Sequence, residues 1–142
     1  MGYRAAIITA SDSGYAGQRE DLSGPAAREL LEQAGYQVAY YALLPDDRTM
    51  LAQELARLCD EDAAALVVTT GGTGFSPRDC TPEATMDVVE RPTPGIPEAM
   101  RALSLKITPR GTLSRAAAAM ASQSAKVVAM GFSHRTCFPA FR

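Results

Sequence analysis

Residues 69–85 read Thr69-Thr70-Gly71-Gly72-Thr73-Gly74-Phe75-Ser76-Pro77-Arg78-Asp79-Cys80-Thr81-Pro82-Glu83-Ala84-Thr85. An apolar run, Ala64 to Val68, precedes them and reads as a buried strand. Pro82 to Val89 follows and reads as a helix. A stretch so rich in glycine lets backbone N–H groups approach a ligand, because no Cβ stands in the way. Thr81 suits a helix N-cap and Pro82 the first helical position. The helix start would then turn its unpaired N–H groups and positive dipole end toward the loop. That chemistry suits an anion, in the first place a phosphate.

Positioning such a loop requires a frame. Tyr3–Ala10 is apolar enough for a strand buried on both faces, and it stops at Ser11-Asp12-Ser13-Gly14. Ser23 then caps a helix with Pro25 in its first turn, Ala26, Leu30, Leu31 and Ala34 at helical spacing, and Gly35 at its end. Tyr36–Leu44 is a second strand closed by Pro45-Asp46-Asp47. A helix with Met50, Leu51, Leu55 and Leu58 on one face leads to the strand Ala64–Thr70. Strand, helix, strand, helix, strand implies right-handed crossovers and a parallel sheet covered on both faces.

Beyond the loop, Arg91-Pro92-Thr93-Pro94-Gly95-Ile96-Pro97 breaks the chain. Pro97–Ile107 is helical, with Met100, Leu103 and Ile107 together. The Ala-rich segment Leu113–Ala121 is expected to be helical. Lys126–Met130 is a last strand that Gly131 ends, and the tail from Phe132 has no helical period. No repeat or linker divides the 142 residues, which read as one domain.

The totals narrow the function. A net charge of −2 gives no electrostatic case for nucleic acid or an anionic membrane. The apolar runs are short of a membrane span, and Met1-Gly2-Tyr3-Arg4 lacks a signal-peptide layout, so a cytoplasmic location is expected. The 3 cysteines are Cys59, Cys80 and Cys137, widely spaced, and there is 1 His, so a zinc site is not expected. Cys80 reads as a small packed residue rather than a reactive thiol.

In an open parallel sheet, ligands lie at the carboxyl ends of the strands. Here those ends carry Ser11, Asp12 and Ser13, then Asp46 and Asp47, then Thr70–Asp79. Carboxylates beside a phosphate cradle call for Mg²⁺, since like charges otherwise repel, and Arg78 suits a phosphate directly. Taken singly, each feature has a plainer reading. Gly71-Gly72 is a tight turn, Asp46 an N-cap after Pro45, Asp79 turn chemistry, Arg78 a solvated charge and His134 a surface residue. Their convergence on one rim favours a site.

The run Thr70-Gly71-Gly72-Thr73-Gly74-Phe75-Ser76-Pro77-Arg78-Asp79-x-Thr81-Pro82-Glu83-Ala84-Thr85 resembles the molybdopterin-binding signature of the MogA/MoaB family, shared with gephyrin G domains. Four other stretches agree: Ser11-Asp12-Ser13 with Glu20-Asp21-x-Ser23-Gly24-Pro25; Leu44-Pro45-Asp46-Asp47; Glu90-Arg91-x-Thr93-Pro94-Gly95; and Ser104–Pro109 with Leu113-Ser114-Arg115-Ala116. The likeness runs over residues 3–118. It implies a three-layer α/β sandwich with a mostly parallel sheet and helices on both faces. It implies adenylylation of molybdopterin by Mg-ATP with release of pyrophosphate, in a homotrimer that hands its product to a molybdenum-inserting, MoeA-like enzyme.

By resemblance, Asp46 and Asp79 are the catalytic pair, with Asp46 also a Mg²⁺ ligand. Thr70, Gly71, Gly72, Thr73, Gly74, Arg78, Thr81, Glu83 and Ser114 would bind molybdopterin. Ser11, Asp12, Ser13 and Gly131 would face the nucleotide. Asp46 suits Mg²⁺ or the ATP end, and Asp79 suits pterin anchoring or proton acceptance; sequence does not divide those roles. The family carries Asn-x-Pro-Gly-x-Pro and a further helix after the last strand. Here Val128-Ala129-Met130-Gly131-Phe132-Ser133 keeps only the Gly. Residues 131–142 therefore read as an atypical tail without the final helix, and the nucleotide side of the site lacks the family's Asn. The alternatives are a MoaB-like paralogue that holds molybdopterin without chemistry, an inactive truncated product, and a CinA-like nucleotide pyrophosphatase. The Phe75–Asp79 continuation argues against the last.

Overall fold

A computed structural model describes residues 2–121 and the backbone of residues 126–132. Of the tail read as atypical and without a final helix, residues 133–142, with Cys137 and His134, lie outside the described residues. Six strands form one sheet in the order β2-β1-β3-β6-β5-β4. Here β1 is Arg4–Ala10, β2 Gln37–Leu44, β3 Leu66–Thr70, β4 Arg91–Pro92, β5 Ala118–Ala121 and β6 Lys126–Phe132. β2, β1, β3 and β6 run parallel, while β5 and β4 extend the sheet antiparallel to their neighbours. The mostly parallel α/β sheet read from the sequence is the one observed.

Helices cover both faces. Ala6, Ile8 and Ala10 of β1 pack with Val67 of β3, with Leu51, Leu55 and Leu58 of α3 (Arg48–Asp60), and with Ala84 of α4 (Thr81–Met86). Each leucine is at most 1% exposed, and full burial of such a side chain contributes about 1.5–3 kcal/mol. The alternate residues Ala5 and Ile7 are also fully buried. Their face of the sheet receives α2 (Ser23–Gln33), which follows the one-turn helix α1 (Asp12–Tyr15). A buried strand read on both faces is therefore what β1 is.

Several local expectations are corrected. Ser23 does not cap α2: Asp21 Oδ1 accepts from the amides of Ser23 and Gly24 at 3.1 Å each. Asp21 Oδ2 also takes hydrogen bonds from Thr9 Oγ1, at 2.9 Å, and from the Tyr41 hydroxyl, so one carboxylate ties α2 to β1 and β2. Burial, and then that carboxylate, push the Tyr41 phenol up to about 12. Asp46 does not cap α3; Asp47 does, accepting from the Met50 amide at 2.8 Å. Met50 itself is exposed, since it sits one position off the buried stripe.

The Ala-rich segment is the largest departure. Pro109–Leu113 is a single 3₁₀ turn, and Ala118–Ala121 is strand β5 between β4 and β6. Alanine's helix preference is a weak local bias, and burial between two strands overrides it: Ala118 and Ala119 are 2% and 0% exposed. Arg91-Pro92 does break the chain and also forms the edge strand, where proline's missing donor costs no ladder bond. α4 ends at Met86, not Val89, and α5 spans Gly95–Leu105, leaving Ile107 beyond it and exposed. β6 runs through Gly131 to Phe132, and Gly131 falls where the β3–β6 register shifts.

Candidate active site

Ala10 pairs with Leu44, and Thr9 with Thr70, so β1, β2 and β3 end at one level. The three polar loops therefore open on a single rim. From β1, Ser11 caps α1 by accepting from the Gly14 amide at 3.1 Å, and its Oγ lies 3.4 Å from that of Ser13. From β2, Pro45 turns the chain so that Asp46 faces Asp12. The Asp12 amide donates to Asp46 Oδ2 at 3.0 Å, and the Asp46 amide donates to Asp12 Oδ1 at 2.9 Å. From the third loop, Arg78 grips Asp12 with both ends of its fork, at 2.9 and 3.0 Å.

This arrangement sets the charges apart. The hydrogen bonds from Arg78, and then the Asp46 contact, hold the Asp12 carboxyl below the usual carboxylate range. Asp46 moves the other way: burial first, then the charges of Asp12 and Asp79, push it up. Its Oδ1 is buried and has no partner among the described residues. An unpartnered buried carboxylate oxygen is unfavourable unless something positive comes to it.

The glycines are used differently from the sequence expectation. Gly71 and Gly72 have φ of +86° and +67°. A Cβ on Gly71 would lie 2.2 Å from Ala10 O, and one on Gly72 would lie 2.1 Å from Thr81 Oγ1. The space a side chain would fill is taken by the protein's own β1 end and α4, so these residues press the loop onto the sheet. Even so, among the described residues the amides of Gly72, Thr73 and Gly74 donate to no acceptor of the chain. Consecutive free amides next to positive-φ residues form an anion-binding concavity. Thr81 opens α4 without capping it, and its buried Oγ1 also lacks a partner among the described residues.

Asp79 Oδ2 accepts from the Ser76 amide at 3.1 Å, and the Asp79 amide donates to Ser76 O at 2.9 Å. Glu83 is gripped by Arg115. Burial works to raise its pKa, but the Arg115 hydrogen bond and charge hold it lowered. Ser114 Oγ accepts from the Ala116 amide at 3.3 Å, one residue from the Arg115 contacts. Of Gly131, only the backbone beside the end of β3 is described. Thr70 is buried, ending β3.

Asp46, Asp47, Arg48, Thr49, Pro77, Arg78 and Cys80 line an open cleft of about 330 Å³, at the low end for a small-molecule site. Burial, then Asp46 and Glu83, push the Cys80 thiol up, which fits its reading as unreactive. Among the described residues no three His, Cys, Asp or Glu side chains group as a metal cage. Arg115 and Asp21 lie in stretches that match the family, but sequence reasoning gave neither a role in the site. Arg115 stands beside the chosen Ser114, and a cation there is a signal in hindsight; Asp21 is concealed because it acts only once β1, β2 and α2 meet.

The sequence pattern of a protein family described as a probable molybdopterin binding domain matches residues 6–140. A molybdopterin adenylyltransferase of Helicobacter pylori (strain 26695) is 42% identical over 120 residues, covering 83% of this chain and 68% of that protein. One of Escherichia coli K12 is 39% identical over 115 residues, covering 79% of this chain and 58% of that protein. The solved structure of the molybdopterin biosynthesis enzyme MoaB from Thermus thermophilus superposes with a TM-score of 0.86 at 37% identity, over 97% of this chain and 86% of that one. No helix of the described residues is long and apolar enough to cross a membrane.

Proposed function

This chain belongs to the molybdopterin-binding domain family, and from that premise we propose that it transfers an adenylyl group from Mg-ATP to molybdopterin. A terminal phosphate oxygen of molybdopterin bonds to the α-phosphorus of ATP. The bond from that phosphorus to the bridging oxygen of the β-phosphate breaks, and pyrophosphate leaves with the electron pair. The observation that carries this reading is the pairing, on one rim, of the Gly72–Gly74 amides with the buried Oδ1 of Asp46, all without partners among the described residues. The first takes a phosphate, and the second takes a cation.

A reaction of this kind needs positioning and charge neutralisation more than covalent help. The Asp46 Oδ1 atom fits Mg²⁺, a hard ion that takes oxygen donors and commonly needs only one or two carboxylates besides phosphates and water. Bound there, Mg²⁺ would neutralise phosphate charge. Asp12 fixes the Asp46 carboxylate through its amide, and Arg78 stands ready to exchange Asp12 for a phosphate oxygen. Asp79 holds the loop through the Ser76 amide and presents its carboxylate toward Gly74, where a Cβ would come within 2.7 Å of Asp79 Oδ2.

The same reading carries a homotrimer, a cytoplasmic setting and delivery of the product to a molybdenum-inserting enzyme; light scattering tests the first. The direct test incubates the protein with Mg-ATP and molybdopterin. Equal amounts of pyrophosphate and adenylylated pterin are expected. Molybdopterin binding with no pyrophosphate rejects the enzyme reading in favour of a molybdopterin-holding paralogue.

A further inference from the structure

We propose that Arg115 is the positioning residue of this site, a clamp that closes the loop carrying Arg78 and Asp79. The proposal rests on the adenylyltransferase reading for its catalytic consequence. Its structural part stands alone. Arg115 Nε donates to Gly74 O and Nη2 to Asp79 O, both at 2.8 Å. Those carbonyls are the two ends of the loop. Nη1 meets the Glu83 carboxylate on α4, and the Arg115 amide donates to Thr73 O at 3.1 Å.

One planar guanidinium therefore spans the loop mouth and fixes it to the helix behind. Between those ends Phe75, Ser76, Pro77 and Arg78 are exposed. Apart from the Arg78 fork on Asp12, the loop's own bonds are local, joining Asp79 and Ser76 to each other and the Arg78 amide to Ser76 Oγ. A lysine at 115 would keep the charge but not the fork, because an ammonium cannot hold two carbonyls and a carboxylate in one plane. Asp46, by contrast, is held from the β1 side by Asp12 and has no contact with Arg115. Loss of the clamp should thus disturb the Asp79 side and spare the Asp46 side.

The experiment compares wild type, Arg115→Ala and Arg115→Lys in three measurements: amide hydrogen exchange, Mg-ATP affinity, and adenylyl-transfer kinetics. Arg115→Ala should speed exchange across residues 75–79 and leave it unchanged at Asp46 and Asp47. Its kcat should fall about 10- to 100-fold, the range for loss of a supporting contact, with Mg-ATP affinity within about twofold of wild type. Arg115→Lys should recover part of kcat, since it keeps the charge and loses only the fork. Unchanged loop exchange in Arg115→Ala overturns the proposal whatever the kinetics. So does a parallel fall in Mg-ATP affinity, which would mark general destabilisation. Faster loop exchange in Arg115→Ala beside a wild type that makes no adenylylated product keeps the clamp and rejects the function.

Discussion

Asp12 and Asp46 each accept a hydrogen bond from the other's backbone amide, at 2.9 and 3.0 Å. Two acidic residues from different strand ends are thereby held together without a shared proton. The arrangement uses one oxygen of Asp46 and leaves the other buried without a partner among the described residues. Arg78 hydrogen-bonds Asp12, and its charge is the last of the influences on Asp46. The asymmetry makes Asp46 the group that a cation would relieve.

Asp46→Asn and Asp79→Asn should each lower adenylyl transfer by about 10²-fold or more, the scale of losing a charged group aimed at reacting phosphates. Molybdopterin binding should survive at least in part, because the Gly72–Gly74 amides are untouched. Pyrophosphate release and pterin binding, measured side by side, check this. Wild-type turnover in both variants would remove the two aspartates from the chemistry.

Asp12→Asn should act indirectly. It keeps the backbone amide that Asp46 accepts from but weakens the Arg78 grip. Activity should drop about 10- to 100-fold, as for a supporting contact, and high salt should affect the variant less than wild type. A kcat equal to wild type at every salt concentration would contradict it.

The raised Asp46 pKa gives a stability signature. A carboxyl whose folded pKa lies above its unfolded value binds more protons when folded, so stability falls as pH rises from the ordinary value, about 3.9, through the raised one. Without ligand, Asp46→Asn should therefore melt higher than wild type at neutral pH, and the difference should shrink as pH falls below that window. Thermal melts across pH read it directly. A variant that melts lower than wild type at neutral pH would show that the carboxylate contributes stability instead.

Gly71→Ala tests the fit of the loop against β1. It combines φ of +86° with a Cβ 2.2 Å from a backbone oxygen that cannot rotate away, and should cost about 2–4 kcal/mol. Gly17→Ala is the control. It has φ of +73° and nothing within 4 Å of its Cβ, so strain alone should cost about 1 kcal/mol. Denaturant midpoints distinguish them, and equal losses would show that close packing of the loop is not what the glycine serves.

Much of the frame was legible because it depends on neighbours in sequence. The apolar runs of β1 and β3 and the Leu51-Leu55-Leu58 stripe have the periods of buried strands and a one-sided helix, and they fold so. The alternation of strand and helix then placed three loops on one rim, since parallel strands end together. Residues 113–121 were not legible: alanine favours helix locally, and only pairing with β4 and β6 makes part of that stretch a strand.

The sequence by itself determined which residues reach the rim: Asp12, Asp46, Arg78, Asp79 and the glycine loop follow from strand ends and spacing. Only the tertiary structure decided what each does there. Asp47 rather than Asp46 caps α3, freeing Asp46 to face Asp12. The side-chain space of Gly71 and Gly72 goes to Ala10 and Thr81, leaving only amides for a ligand. Arg115 reaches back across the chain to hold Gly74, Asp79 and Glu83. The physical reason is the same in each case. Periodicity fixes which way a side chain faces its own element, but hydrogen-bond partners far along the chain are chosen only when the elements pack.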